Sequence, residues 1–224
     1  MKKQNDPSQA WRELSDETVI SKGGATFKRT ENGTWLASGK NPRSDTYEIR
    51  SSLDSSQLAG LLIEASPHKS LKEIGLGRSG NGNFVLTGLD IRLESKNQKT
   101  PPIVLKLDSA EASFAQSGYT PSQILKNASN LTKKNATGWA VHGFDSSKSK
   151  FVRAMFLAKT PIQVPEDAEL IVTMYHKSRF TDHNVGNFKI HYTENTDVTL
   201  DGGSNIPKEI VAGLIKETNT FKPE

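Results

Sequence analysis

Apolar and polar residues alternate along several short segments of this chain, most clearly over 89–94. Leucine or isoleucine occupies every second position there, and Asp90, Arg92 and Glu94 lie between them. Because successive side chains of a β-strand point to opposite faces, the run 84–94 that contains this alternation predicts a strand with one face in a core and the other in water. The same alternation predicts strands over 103–108, 170–175 and 188–193, and apolar runs predict further strands over 25–28, 35–37, 46–50, 58–64 and 151–158.

Turn signals rich in glycine, asparagine and proline separate these segments. They fall at 32–33, 40–42, 80–82 and 201–203. Many short strands divided by such turns are typical of a β-sandwich or barrel, so the predicted fold class is all-β. The clearest helix is predicted over 206–215, where apolar residues recur every three or four positions and Pro207 suits a first helical turn.

The composition narrows the classes of partner and chemistry. The 224 residues could form one large sandwich or two small domains. The formal charge is +4, but basic residues are spread along the chain, and the nearest cluster, Lys133-Lys134, is typical of a solvated loop. We therefore expect no nucleic-acid partner. The absence of cysteine excludes disulfides, thiolate zinc sites, a cysteine nucleophile and C-x-x-C-H haem attachment.

No segment has the features of a targeting or membrane-spanning sequence. The first residues are charged, but no apolar stretch of a signal peptide follows them. No apolar run approaches the roughly 18 residues of a membrane-spanning helix, so we do not expect membrane insertion. The predicted organisation is a flexible N-terminal segment over 1–10, a β-sandwich binding module over 11–200, and a linker helix and tail over 201–224.

One glycine-rich segment formally matches a nucleotide-binding motif. Residues 75–80 read G-x-G-x-x-G, which binds a pyrophosphate only when a buried strand precedes it and a helix opens at its last glycine. Here a polar segment precedes it and a predicted strand follows. We therefore interpret the glycines as residues of tight turns with positive φ. No G-x-S-x-G segment of a serine hydrolase is present.

The titratable residues permit other sites without specifying one. His176, Asp182 and His183 could surround one loop and bind a metal, although exposed loop histidines are commoner. Glu64 and Asp90 are predicted on adjacent strands, where they could face each other as the carboxylate pair of a glycoside hydrolase. The alternatives are that such carboxylates form the solvated face of a sheet or hold a structural calcium.

Sugar binding requires a flat aromatic ring and nearby polar side chains that bond hydroxyl groups. Aromatic residues beside loops, together with asparagines and arginines, meet this description. The alternative for Trp35 and Trp139 is that both are core residues. The candidate ligand-binding residues are Trp35, Asn41, Arg43, Tyr47, Arg78, Asn81, Asn83 and Trp139.

Several motifs resemble, in their order, a region of large planctomycete and verrucomicrobial proteins that carry cytochrome-c-like domains. The most specific is the run 75–86, which usually has proline where Leu76 stands. The resemblance extends over about 11–216. The other motifs lie at 11–14, 21–26, 32–39, 41–42, 45–47, 112–116, 137–141, 185–190 and 206–210.

The resemblance implies a galactose-binding-like, discoidin-like jelly roll with a short C-terminal helix. It also implies sugar or polysaccharide binding by analogy, and a periplasmic or secreted host protein. One departure is the longer, asparagine-rich segment over 124–135, which replaces the family's Ala-x-Asp-Gly-like turn and puts in doubt any ligand or metal role of that aspartate.

Three functions remain open at this point. The first is a non-catalytic module that binds a glycan within a larger exported protein. The alternative is a structural domain that packs against neighbouring catalytic or electron-transfer domains. The third is a polysaccharide-active enzyme, for which Glu64, Asp90 and His176 are the candidate residues.

Overall fold

Fourteen β-strands and one short α-helix form the parts of the chain that the computed structural model describes, residues 10–97 and 100–203. The strands are β1 (Arg12–Glu13), β2 (Ser15–Ser21), β3 (Ala25–Arg29), β4 (Trp35–Gly39), β5 (Asp45–Ser52), β6 (Gln57–Ala65), β7 (Val85–Leu86), β8 (Gly88–Ser95), β9 (Ile103–Val104), β10 (Leu107–Ala112), β11 (Trp139–Ala140), β12 (Val152–Gln163), β13 (Ala168–His176) and β14 (Asn187–Thr193). Helix α1 spans Ser122–Lys126. The predicted helix over 206–215 lies outside the described residues, as do nearly all of the predicted terminal segments.

The strands form two main antiparallel sheets. The first sheet contains seven strands, six of which follow the order β10-β12-β6-β14-β4-β3. The seventh, β1, pairs with β14 along the same edge as β4. The second sheet contains five strands in the order β2-β5-β13-β8-β9. A two-stranded ribbon joins β7 to β11. The chain crosses between the two sheets after β1, β2, β4, β5, β9, β12 and β13, whereas the consecutive strands β3 and β4, and β8 and β9, pair with each other. This arrangement confirms the predicted all-β sandwich.

One hydrophobic core lies between the two sheets. The seven-stranded sheet contributes Leu61, Ile63 and Phe156, and the five-stranded sheet contributes Ile49 and Val172. All of these side chains are at most 1% exposed. Alternate residues of each strand fill this core, as the period of two requires.

A smaller cluster covers part of the outer face of the seven-stranded sheet. Leu62 and Leu157 point away from the main core and pack with Val198. Trp11 contacts the same cluster and donates a hydrogen bond from its indole nitrogen to the Thr199 carbonyl at 2.8 Å. The segment after β14 therefore folds back over the sheet.

Most strands predicted from the sequence are confirmed, and one is wrong. The predictions over 89–94, 170–175 and 188–193 correspond to β8, β13 and β14, and those from apolar runs correspond to β3, β4, β5, β6 and β12. The strand predicted over 103–108 is two strands in different sheets, β9 and β10. Leu105 is buried at the crossing point, whereas Ile103 and Val104 are exposed on an edge strand. Alternation indicates extended backbone but does not specify the sheet to which it belongs.

Three short or polar strands, β1, β2 and β11, were not predicted. The longest is β2, whose sequence is predominantly polar because it lies at the edge of the five-stranded sheet. The strand predicted over 84–94 is divided into β7, which pairs with β11, and β8, which lies in the five-stranded sheet. Within residues 10–97 and 100–203, no helix has the length and apolar character needed to cross a bilayer.

Candidate functional site

Three loops form a cleft of about 530 Å³. We call it the basic cleft. The loops precede β5, precede β11 and follow β13. Its volume is within the range of sites that bind small ligands. The lining residues are Arg43, Ser44, Thr132, Lys134, Asn135, Lys177, Ser178, Arg179, Phe180 and Thr181.

The pairing of β5 with β13 brings two of these loops together. The first residue of β5, Asp45, is opposite the last residue of β13, His176, so the loop before one strand and the loop after the other leave the sheet at the same end. The buried Asp45 carboxylate anchors this end. It accepts hydrogen bonds from the Ser21 hydroxyl at 2.6 Å and from the amides of Gly23 and Thr46 at 2.8 and 2.7 Å.

Hydrogen bonds then tie the three loops to one another. The Asp182 amide donates to the Arg43 carbonyl at 3.2 Å, and the Ala136 amide donates to the Lys177 carbonyl at 3.2 Å. The fully buried Asn184 donates from its side chain to the Pro42 carbonyl at 2.9 Å. Because each loop is held by another, the cleft is formed before any ligand arrives, which reduces the entropy lost on binding.

Four cationic side chains line the basic cleft. They are those of Arg43, Lys134, Lys177 and Arg179, and no aspartate or glutamate is among the lining residues. None of the four forms an ion pair with a carboxylate in the described parts of the chain. The other polar lining groups are hydroxyls and one amide, which both donate and accept hydrogen bonds.

Phe180 supplies an aromatic ring in this polar surrounding. The ring is partly exposed, and the Arg179 guanidinium carbon lies 4.9 Å from its centroid. The Tyr119 ring contacts the Phe180 ring, with 6.2 Å between the two centroids. Sequence reasoning did not select Phe180, Lys177 or Arg179, although a lone aromatic residue that follows two basic residues in a polar loop is a signal that could have found them.

Of the candidate residues predicted from the sequence, only Arg43 lines the basic cleft. Asn41 and Arg78 lie behind it and hold the loop that carries Arg43. The Asn41 side chain donates to the Arg78 carbonyl at 2.9 Å, and the Arg78 guanidinium donates to the Lys40 and Gly39 carbonyls, each at 2.8 Å. Their hydrogen bonds are internal to the fold.

Asn81 and Asn83 lie in a second, smaller concave region of about 70 Å³. The Asn83 side-chain oxygen accepts a hydrogen bond from the Val141 amide at 2.9 Å. The Asn81 side-chain oxygen accepts one from the Ser79 hydroxyl at 2.7 Å. These bonds stabilise the loop over 75–84 and attach it to the segment after β11.

The glycines of this loop are required by close packing. A Cβ atom on Gly77 would lie 2.0 Å from the Asn83 carbonyl oxygen, and one on Gly75 would lie 2.3 Å from the Gly82 Cα. The positive φ predicted for the glycines of 75–80 is wrong, because only Gly82, just beyond them, has a φ of 68°. Strand β7, and no helix, follows the loop, so its geometry is not that of a dinucleotide-binding turn.

The three predicted aromatic residues occupy different positions. Tyr47 and Trp139 are fully buried, and each donates a hydrogen bond to a backbone carbonyl, Tyr47 to that of Val185 and Trp139 to that of Phe114, at 3.0 Å in both cases. Burial raises the pKa of the Tyr47 hydroxyl. Trp35 is half-buried at the end of β4 remote from the basic cleft. The rings of Tyr47 and Trp139 thus serve the core and present no face to a ligand.

The Trp35 indole has a carboxylate partner. Its nitrogen donates to Glu17 at 2.7 Å, and Arg29 pairs with the same carboxylate at 2.8 Å. Burial raises the pKa of Glu17, while the Trp35 hydrogen bond and the Arg29 charge oppose that effect. These contacts join β2 to the β3–β4 edge of the other sheet.

The candidate catalytic residues do not meet. Glu64 is in the seven-stranded sheet and Asp90 in the five-stranded sheet, so the prediction that they lie on adjacent strands is wrong. Glu64 pairs with Arg153 at 2.8 Å, and Asp90 pairs with Arg92 at 2.7 Å. In the described ranges, no three histidine, aspartate or glutamate side chains are close enough to share a metal ion.

His176 is buried beneath the basic cleft. His176 is 3% exposed, and its ring packs on Tyr47 at 4.7 Å between centroids. Burial lowers the pKa of His176 to about 3, an effect that the Asp45 backbone opposes and the Lys177 charge reinforces. The ring is therefore neutral over the usual pH range and has no contact with the cleft surface.

No family model matches this sequence, and no curated protein is similar to it at a significant level.

Proposed function

We propose that this chain is a non-catalytic module that binds carbohydrate or polysaccharide, and that the basic cleft is its binding site. The observation that carries the proposal is the combination of the Phe180 ring with hydroxyl, amide and guanidinium groups around one cleft of about 530 Å³. An aromatic face packs against the apolar face of a pyranose, and the polar groups bond its hydroxyls.

The support of the cleft by the fold strengthens the proposal. The three loops are joined by backbone hydrogen bonds from Asp182 and Ala136, and the side chain of Asn184 bonds that of Asn41 at 2.9 Å. A loop site that is fixed in this way loses little conformational freedom on binding. A network that served only to close the end of the sandwich would not need to hold an open cleft.

The proposal is tested by measuring the binding of the full chain to a panel of neutral and acidic polysaccharides. We expect binding to at least one member of the panel. We also expect Phe180→Ala to weaken it by about two- to tenfold, because stacking on a ring contributes about 0.5–1.5 kcal/mol. The measurement is isothermal titration calorimetry on soluble oligosaccharides of the polysaccharide that binds.

Phe151 provides a matched control. It is also a partly exposed phenylalanine with an arginine over its ring, in this case Arg153 at 4.1 Å, but it does not line the cleft. Phe151→Ala should leave the affinity unchanged. An equal loss in both variants, or none in either, would contradict the assignment of the site. Failure to bind any polysaccharide would reject the proposal and favour a structural domain that packs against neighbouring domains.

A further inference from the structure

The arginines of the chain differ in whether they form ion pairs with carboxylates. All eight lie within the described residues. Arg78 donates to the carbonyls of Gly39 and Lys40. Arg43 and Arg179 form no ion pair with a described carboxylate, and both line the basic cleft. The other five, which all pair with carboxylates, are Arg12, Arg29, Arg50, Arg92 and Arg153.

The cleft therefore concentrates positive charge that the fold does not neutralise. Lys134 and Lys177 join the two arginines, and the carboxylates closest to the lining residues along the chain, those of Asp45 and Asp182, are not among the lining residues. Like charges around one concave surface repel each other, and concave walls focus their field. The arrangement destabilises the free protein slightly and becomes favourable when an anion enters.

We infer that the ligand of the basic cleft is an anionic glycan that carries carboxylate or sulfate groups; this inference rests on the proposed function. The guanidinium groups of Arg43 and Arg179 present planar sets of donors that match two oxygens of such a group. Phe180 and the Thr181 hydroxyl complement the neutral part of a sugar acid.

The same charge could attract a nucleic acid, but the cleft is not built for one. Single-stranded nucleic acids are bound along a groove that follows several phosphates, with aromatic residues on which successive bases stack. Among the described residues, Phe180 is the one aromatic residue that lines the basic cleft. The neighbouring rings of Tyr119 and His183 are tilted against it by 51° and 35° and form no parallel series on which successive bases could stack. A sugar chain with a charged group on each unit fits this shorter, enclosed surface.

The experiment compares the full chain on charged and neutral probes of the same backbone. Polygalacturonate is paired with its fully methyl-esterified form, dextran sulfate with dextran, and an oligothymidylate serves as the nucleic-acid probe. Each is titrated at about 50 mM and about 300 mM salt, because exposed charges are screened over about 8–10 Å near physiological ionic strength. The test variant is Arg43→Gln/Arg179→Gln, and the control is Lys28→Gln/Lys159→Gln, which removes the same charge from exposed strand positions outside the cleft.

We expect at least one charged polysaccharide to bind about tenfold or more tightly than its neutral partner, with the difference reduced by salt and lost in the arginine variant only. Preference for polygalacturonate identifies the carboxylate as the recognised group, and preference for dextran sulfate identifies the sulfate. Equal affinity for a charged glycan and its neutral partner overturns the inference while leaving the proposed function intact. Absence of binding to every glycan rejects both. Tighter binding of the oligothymidylate than of any glycan overturns the inference in favour of a nucleic-acid site.

Discussion

The buried histidine at the end of β13 makes the stability of the protein depend on pH in a way that one substitution should remove. Burial lowers the pKa of His176 from 6.5 to about 3. In the unfolded chain the imidazole returns to its ordinary pKa, so between these two values the unfolded state binds a proton that the folded state does not. Stability therefore rises with pH across this window and is lost as the pH falls from about 6.5 towards 3.

The magnitude follows from the difference in proton binding. One proton corresponds to a slope of about 1.4 kcal/mol per pH unit. At about pH 4.5, about two units below the unfolded pKa, His176 should thus lower the free energy of unfolding by about 3 kcal/mol relative to pH 7. His191, whose pKa burial also lowers, and Glu48, whose pKa is lowered by Arg50 and Lys22 against the opposing effect of burial, contribute to the same acid sensitivity.

The assay is urea unfolding at a series of pH values, with His176→Leu as the perturbation and His142→Leu as the control. The control removes an exposed ring and should follow the wild-type profile. Between pH 7 and about pH 4.5, the free energy of unfolding of the wild type should fall by about 3 kcal/mol more than that of His176→Leu. The contributions of His191 and Glu48 are equal in both proteins and cancel in this comparison. Parallel profiles for the wild type and His176→Leu would refute the reasoning.

Three further predictions concern packing and the support of the cleft, each measured by the free energy of unfolding. Gly77→Ala should destabilise the protein by at least about 2 kcal/mol, because the added Cβ atom would overlap the backbone of Asn83. Gly80→Ala should change the stability by less than about 1 kcal/mol, because a Cβ atom added there would meet no atom within 4 Å. Trp139→Ala should cost about 3–5 kcal/mol and Trp35→Ala clearly less, since the first ring is fully buried and the second is half-exposed; equal losses would contradict this. Asn184→Ala should cost about 1–3 kcal/mol and also weaken glycan binding, since it frees the Asn41 side chain and the loop before β5. Unchanged affinity in a folded Asn184→Ala protein would show that the loop needs no such support.

Much of the secondary structure could be predicted because it depends on local patterns. The alternation over 89–94 and 170–175 directly predicts β8 and β13, whose apolar residues fill the core. The failure at 103–108 has a local cause as well. The chain leaves the five-stranded sheet after Val104 and joins the other sheet at Leu107, and the same extended pattern is compatible with either sheet.

The candidate site could be predicted only in part. Arg43, which was predicted as a ligand-binding residue, lines the basic cleft, and its role in binding stays a prediction. Tyr47 and Trp139 were selected as aromatic residues beside loops, yet the structure buries both rings. A one-dimensional pattern identifies a ring near a turn, but the neighbouring strands decide whether that ring points inward or outward.

By itself, then, the sequence determined the extended segments, the turns between them and the all-β class, since each depends on residues a few positions apart. Only the tertiary structure decided which strands pair and what the loops form together. Arg43, Lys134 and Arg179 are far apart along the chain and share the basic cleft because β5 pairs with β13 and Ala136 bonds Lys177. Charged residues that are far apart in the sequence form one site when backbone pairing brings them close together, and that pairing is a long-range property of the fold.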